Sequence, residues 1–293
     1  MFKIDYNTKY LSICKNISKN IDIQIKNFIN QYNKIIFSES YNEKIVWLPE
    51  TIKEIRFEVD YEFPLDNLPL KLVKLVFMFD CNQSVDNLPT NLKIIYFGMN
   101  FNKSLDMLPE SIEEIYLLAT FNQPINNLPR GLKNLTLSNA FSFPISNLPR
   151  NLVNLSLGDS FTYPLTNLPN TIESIRLGNG FSSKIIQLPK NIKTIILSSN
   201  YKYLSEFRVV WKNFYQINES HGSITFLKSN IKKSNCTNIN NTSNSNSNSN
   251  SNSNTNTNTN SNTNTNSNSN SIFDYVTTNL NNFIEYIQYD IFD

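Results

Sequence analysis

Phe121-Asn122-Gln123-Pro124-Ile125-Asn126-Asn127-Leu128-Pro129-Arg130-Gly131-Leu132-Lys133-Asn134-Leu135-Thr136-Leu137-Ser138-Asn139-Ala140 is one unit of a repeat, and the repeat decides the fold. The period is 20 residues, without insertion or deletion, from Tyr41 to Asn200. Leu-Pro recurs eight times in register, at Leu48-Pro49, Leu68-Pro69, Leu88-Pro89, Leu108-Pro109, Leu128-Pro129, Leu148-Pro149, Leu168-Pro169 and Leu188-Pro189. Counting Phe121 as position 1, positions 1, 5, 8, 12, 15 and 17 are apolar in every copy; of these 48 residues 47 are aromatic or branched aliphatic and the last is Cys81. A unit this short cannot enclose six apolar side chains alone, whereas stacked identical coils bury them in one continuous column.

Proline places the strands within each coil. All 12 prolines lie inside the repeats, eight at position 9 and four (Pro64, Pro124, Pro144, Pro164) at position 4. Proline has no N–H to give to a ladder, so the hydrogen-bonded strand belongs to the proline-free half. There Leu135-Thr136-Leu137 and Ile175-Arg176-Leu177 alternate with period two in β-forming residues. The proline-rich half is expected to run extended along the outer face. One strand per coil at a spacing of about 4.8 Å predicts a parallel sheet roughly 38 Å long. The fold class expected is a β-rich repeat solenoid with one short strand per 20-residue coil.

This pattern resembles the FNIP repeat family, which includes proteins of amoebae and of giant viruses of amoebae. The Phe-Asn-x-Pro motif stands nearly intact as Phe121-Asn122-Gln123-Pro124-Ile125, with Phe101-Asn102-Lys103-Ser104-Leu105 and Cys81-Asn82-Gln83-Ser84-Val85 as variants. Its Leu-Pro-x-x-Leu-x-x-Leu-x-Leu half is similar to a short leucine-rich repeat, which implies a curved solenoid with strands on the concave side. The regular asparagine of leucine-rich repeats is not reproduced, since position 20 offers only Asn100 and Asn200. Asparagine at position 7 (Asn67, Asn87, Asn127, Asn147, Asn167) is the candidate to form a ladder in its place. Some members of the family carry an F-box before the repeats, which gives the alternative function of a substrate-recognition adaptor for ubiquitin ligation. Residues 1–40 are short for an F-box and lack its Leu-Pro opening.

Outside the repeats the chain divides into four further segments. Residues 1–40 read as an N-terminal cap, with Leu11, Cys14, Ile17, Ile21, Ile25, Phe28 and Ile29 at helical spacing and a starter strand in Asn33-Lys34-Ile35-Ile36-Phe37. Residues 201–233 read as a C-terminal cap in which Ile224-Thr225-Phe226-Leu227 supplies a last strand. Residues 234–271 are almost purely Asn, Ser and Thr, a composition expected to be disordered. Residues 272–293 return to helical spacing through Phe273, Val276, Leu280, Phe283, Ile284, Ile287 and Ile291. That segment holds no basic residue, which argues against an amphipathic membrane anchor.

The chemistry-bearing residues are sparse. The sequence has one histidine, His221, and three cysteines, Cys14, Cys81 and Cys236, widely separated. No disulfide framework, zinc site or phosphate-binding glycine loop is encoded, and no cofactor or metal is expected. Glu113 and Glu114 are adjacent, so on a strand they point to opposite sides and do not pair for acid–base work. Three of six glycines, Gly98, Gly158 and Gly178, share position 18, where a turn calls for backbone freedom. A non-enzyme is expected. With 26 basic and 24 acidic residues the net charge is +2, which does not favour nucleic acid. No run of about 18 apolar residues exists, and the first residues lack a signal-like stretch, so a cytoplasmic setting is expected.

What remains is the strand face that points away from the core, at positions 14, 16 and 18. Across the second to fourth repeats it collects Val76, Met78, Ile94, Tyr96, Tyr116 and Leu118. An exposed apolar cluster with aromatics is a protein-contact candidate, and a non-enzymatic protein-binding scaffold is the expected function. Charge is also segregated: residues 41–120 hold 7 basic and 13 acidic side chains (net −6), and residues 121–200 hold 7 and 2 (net +5). Such a rod is expected to steer a partner or to self-associate, head to tail, in a salt-sensitive way.

Overall fold

The computed structural model describes residues 2–5, 10–13, 29–38, 41, 43–220 and 222–229, all within one unit, Met1–Ser234. The chain is a β-solenoid in which each 20-residue coil contributes one short strand to a parallel sheet. The strands are β3 (Lys34–Ser38), β4 (Glu54–Glu58), β5 (Lys74–Phe77), β6 (Ile94–Phe97), β7 (Glu114–Leu117), β8 (Asn134–Thr136), β9 (Asn154–Leu157), β10 (Ser174–Leu177) and β11 (Thr194–Ser198). From β3 to β11 every register partner is 20 residues away, as in Ile115↔Leu135 and Leu135↔Leu155.

The Leu-Pro dipeptide opens the turn that feeds the strand. In all eight coils the proline carbonyl accepts the N–H of position 12, from Ile52 to Pro49 at 3.1 Å through Ile192 to Pro189 at 3.2 Å. Proline costs the coil nothing here, because its missing N–H lies on the side where no ladder runs. The next two N–H groups share one carbonyl of the preceding coil: Val73 and Lys74 both donate to Lys53, at 2.8 and 2.9 Å.

The six apolar positions converge as expected, and all are buried except Leu148 and Leu168, which pack against the core half-covered. The position-1 rings of Phe101, Phe121, Phe141, Phe161 and Phe181 stack in one file at 6.1–6.3 Å. Each buried ring contributes about 1.5–3 kcal/mol. At position 17 Phe37, Phe57 and Phe77 are closer, at 4.9 and 5.0 Å, and on the far strand face Tyr96 and Tyr116 are 4.1 Å apart. Rings carried by the strands thus stand closer together than the position-1 rings of later coils, the spacing that a sheet lining the inside of a bend gives.

Ladders of side chains tie coil to coil. At position 2, Asn82, Asn102 and Asn122 each accept the backbone N–H one coil on, from Asn102, Asn122 and Ser142, at 2.9–3.0 Å. Position 7 works differently from expectation: Asn67 donates to the Ile45 carbonyl at 2.9 Å, but Asn87 and Asn127 reach carboxylates of Asp66 and Asp106 instead. The asparagine ladder is therefore the one inside the Phe-Asn motif.

Both ends of the sheet depart from the repeat. Before β3 lie β1 (Phe2–Asp5) and β2 (Tyr10–Ile13), an antiparallel pair of which β2 runs parallel to β3. The starter strand is present as β3. Leu11 belongs to β2 rather than to a helix, because β2 adds to the sheet with Leu11 opposite Ile35. The rest of the expected helix, 14–28, lies outside the described residues, as do His221 and the segments 234–271 and 272–293. After β11 come a helix, α1 (Leu204–Val210), and two strands, β12 (Phe214–Ser220) and β13 (Ser223–Lys228). The last strand foreseen at Ile224–Leu227 is β13, which pairs antiparallel with β11, and β12 covers it from outside. Tyr201 closes the aromatic file, its hydroxyl accepting the Ile185 N–H at 3.1 Å and donating to the Ser183 carbonyl at 3.0 Å.

Candidate functional site

Alternation within each strand sends positions 15 and 17 into the core and positions 14 and 16 onto the concave face. The burial of β6 and β7 shows this directly, with Ile95, Phe97, Ile115 and Leu117 covered and Ile94, Tyr96, Glu114 and Tyr116 half-covered. Parallel register then sets Tyr96 beside Tyr116 and Ile94 beside Glu114.

The two tyrosine rings stack at 4.1 Å with planes 10° apart. The Tyr116 hydroxyl donates to Glu114 Oε2 at 2.7 Å. Burial, then the neighbouring Tyr96 and the Glu114 charge, hold the Tyr116 hydroxyl far above the usual phenol range, so it stays a proton donor at any physiological pH. On the other side the Lys74 ammonium sits 5.7 Å from the Tyr96 ring centre. The pair is held from both ends.

Four of the six residues picked out from the sequence, Ile94, Tyr96, Tyr116 and Leu118, are partly accessible on this face. Val76 and Met78 are not: they are 5% and 4% exposed. Val76 is flanked in register by Arg56 and Tyr96, and side chains that long close over a short one on a tightening concave surface. The patch is therefore smaller than expected and centred on the third and fourth coils. Lys74 and Glu114, which are not among those six, belong to it as well. Their signal was their column, since position 14 shares the face with position 16.

Charged and polar pairs flank the tyrosines. Toward the first coils Glu54 lies between Lys34 and Lys74 at 3.1 and 3.6 Å, and Arg56 pairs with Glu58 at 2.9 Å. Toward the last coils Asn154 donates to Asn134 Oδ1 at 2.7 Å, followed by Ser156, Ser174 and Arg176. Glu113 takes the opposite side from Glu114, as the alternation requires, and bridges Lys93 and Lys133 at 2.8 and 2.6 Å. Those two ammonium groups lower its carboxyl pKa.

Position 18 is tight for a reason other than the expected one. None of Gly98, Gly158 and Gly178 has a positive φ; what they lack is room. A Cβ on Gly98 would stand 1.5 Å from the Phe79 carbonyl oxygen, and one on Gly158 2.1 Å from that of Ser138. Cys81 is buried, and burial pushes its thiol up to about 12, so it packs as an apolar side chain. Among the described residues no group of three or more His, Cys, Asp or Glu converges on a point that could hold a metal. Among them, too, no helix is long and apolar enough to cross a membrane.

The FNIP Repeat model matches residues 82–120 and 142–180, two coils each time. The chain contains FNIP repeats. The matched segments begin at Asn82 and at Ser142, position 2 of their coils, and Asn82 is the first asparagine of the ladder described above. The other coils share the same period and the same buried positions. No curated protein matches the chain.

Proposed function

We propose that this FNIP solenoid is a non-catalytic scaffold that binds a segment of another protein along its concave sheet. The observation that carries the proposal is the Tyr96–Tyr116 stack, fixed by Lys74 and Glu114 and bordered by Ile94 and Leu118. Aromatic side chains already held in place lose little entropy on contact, and they concentrate binding energy in the middle of an interface. The flanking pairs, charged on one side and amide or hydroxyl on the other, supply a rim with direction. A segment laid across the strands would meet charge, then aromatic surface, then amides.

The test is retention of a partner from a lysate of the source cells by the full chain, beside a Tyr96→Glu, Tyr116→Glu variant shown by circular dichroism to keep its sheet. A partner held by the wild type and lost by the variant supports the concave site. A partner held equally by both places binding elsewhere and overturns it.

A further inference from the structure

One edge of the coil carries surface features that the concave site does not use. Positions 6 to 10, either side of Leu-Pro, form a narrow strip along the repeats; Asn167 and Asn170, positions 7 and 10 of one coil, line a single depression with Gln187 of the next. Five of the seven large apolar side chains exposed within the repeats lie on this strip: Val46, Trp47, Leu70, Met107 and Ile186. Leu70 is 67% and Ile186 72% exposed, which a surface meant for water alone does not require.

Charge on the strip is sorted by coil. Position 10 reads Glu50, Leu70, Thr90, Glu110, Arg130, Arg150, Asn170, Lys190, and position 6 adds Asp66, Asp86 and Asp106 to the acidic half only. The two glutamates are pinned, Glu50 by the N–H groups of Leu70 and Lys71 and Glu110 by that of Arg130 at 2.9 Å. The salt bridges formed by basic residues of the second half use Lys133, Lys184 and Lys193; Arg130, Arg150 and Lys190 join none. Three exposed cations in one file are left with no anion to meet within the described residues.

We infer that this strip is an interface with a second copy of the chain, packed side by side and antiparallel. A two-fold axis between the fourth and fifth coils, perpendicular to the stack, sets each position opposite the same position of the partner, with first coil facing eighth and fourth facing fifth. Glu110 then faces the partner's Arg130, Glu50 faces the partner's Lys190, and Val46 faces the partner's Ile186. The same operation sets the partner's contacts in return, so each match is made twice. Parallel packing brings each coil against its own copy, sets Asp106 toward the partner's Glu110, and gains nothing. Head-to-tail packing leaves the strip uncovered. Antiparallel pairing also leaves the concave face open, so the dimer and the proposed protein-binding site are independent.

The experiment is sedimentation velocity of the full chain at 20 mM and 500 mM salt, with two variants. Glu50→Lys with Glu110→Lys makes the strip wholly basic at the paired positions, and Arg130→Glu with Lys190→Glu makes it acidic. The expected result is a wild-type dimer at 20 mM salt whose dissociation constant rises at least tenfold at 500 mM. Each variant alone is monomeric, and the equimolar mixture restores the dimer, which also shows that both variants are folded. A wild type that is monomeric at 20 mM salt overturns the inference, as do chains of growing length, variants that dimerise alone, or two folded variants that fail to pair.

Discussion

The side-chain oxygen of Asn102 accepts the backbone N–H of Asn122, one coil further along, at 2.9 Å. Gln123 Nε2 donates to the same oxygen at 3.2 Å. Asn102 in turn gives its own N–H to Asn82. The ladder thus uses the acceptor half of each amide. Without it, a row of outward N–H groups on the proline-rich side would have no partner in the neighbouring coil.

Asn102→Ala is therefore expected to cost about 1 kcal/mol, the net value of a hydrogen bond of this kind. Asn102→Asp should cost much less, because a carboxylate keeps the acceptor. Urea unfolding midpoints of the two variants decide it. Equal losses would mean that the amide nitrogen matters and the assigned direction is wrong.

Glycines divide by the room around them. Gly98→Ala must push a Cβ into the Phe79 carbonyl, and is expected to destabilise by roughly 2–4 kcal/mol. Gly131→Ala meets only ordinary contacts, at 3.5 and 3.8 Å, and should be neutral or stabilising by about 0.5 kcal/mol. Thermal unfolding of the pair separates crowding from backbone freedom, since freedom alone would make the two alike.

Cys81 predicts a pH dependence. Its thiol is pushed up from 9.0 to about 12 by burial, so the folded state favours the neutral form. Stability from this group is complete below pH 9 and is lost as the pH rises from 9 toward 12, by roughly 1.4 kcal/mol per unit. Cys81→Ala should flatten that stretch of the stability curve relative to the wild type. In a Cys14→Ser, Cys236→Ser background, Cys81 should also resist a thiol reagent at pH 8 until the protein is unfolded.

Most of the architecture was legible because each coil repeats one decision. Apolar positions, prolines and alternation recur eight times, so chance departures such as Cys81 stand out against the column. What was not legible depends on neighbouring coils. Val76 and Met78 sit at outward positions, yet both are covered; Val76 stands in register between the long side chains of Arg56 and Tyr96, which a single strand's alternation does not reveal. Gly98 looked like a turn residue, and only the backbone of the previous coil shows why it has no side chain. Leu11 shared helical spacing with its neighbours, but four residues are too few to separate period 3.6 from period 2, and pairing with β3 decided the matter. The tyrosine stack was visible as two residues in one column, whereas its clamps, Lys74 and Glu114, were visible only as exposed charges.

The reversal at β13 carries a consequence for how such genes change. Inside the array every coil offers its successor the same register, so nothing within a coil says when to stop adding more. Counting is left to the end piece, where β13 runs the other way and β12 is broken out of register between Gln216 and Asn218. A chain that gains or loses one whole unit upstream of Tyr201 keeps the same terminator and the same cross-section. Length in this protein is therefore free to vary by duplication without a new fold having to be found each time, whereas a lost end piece would expose an adhesive edge.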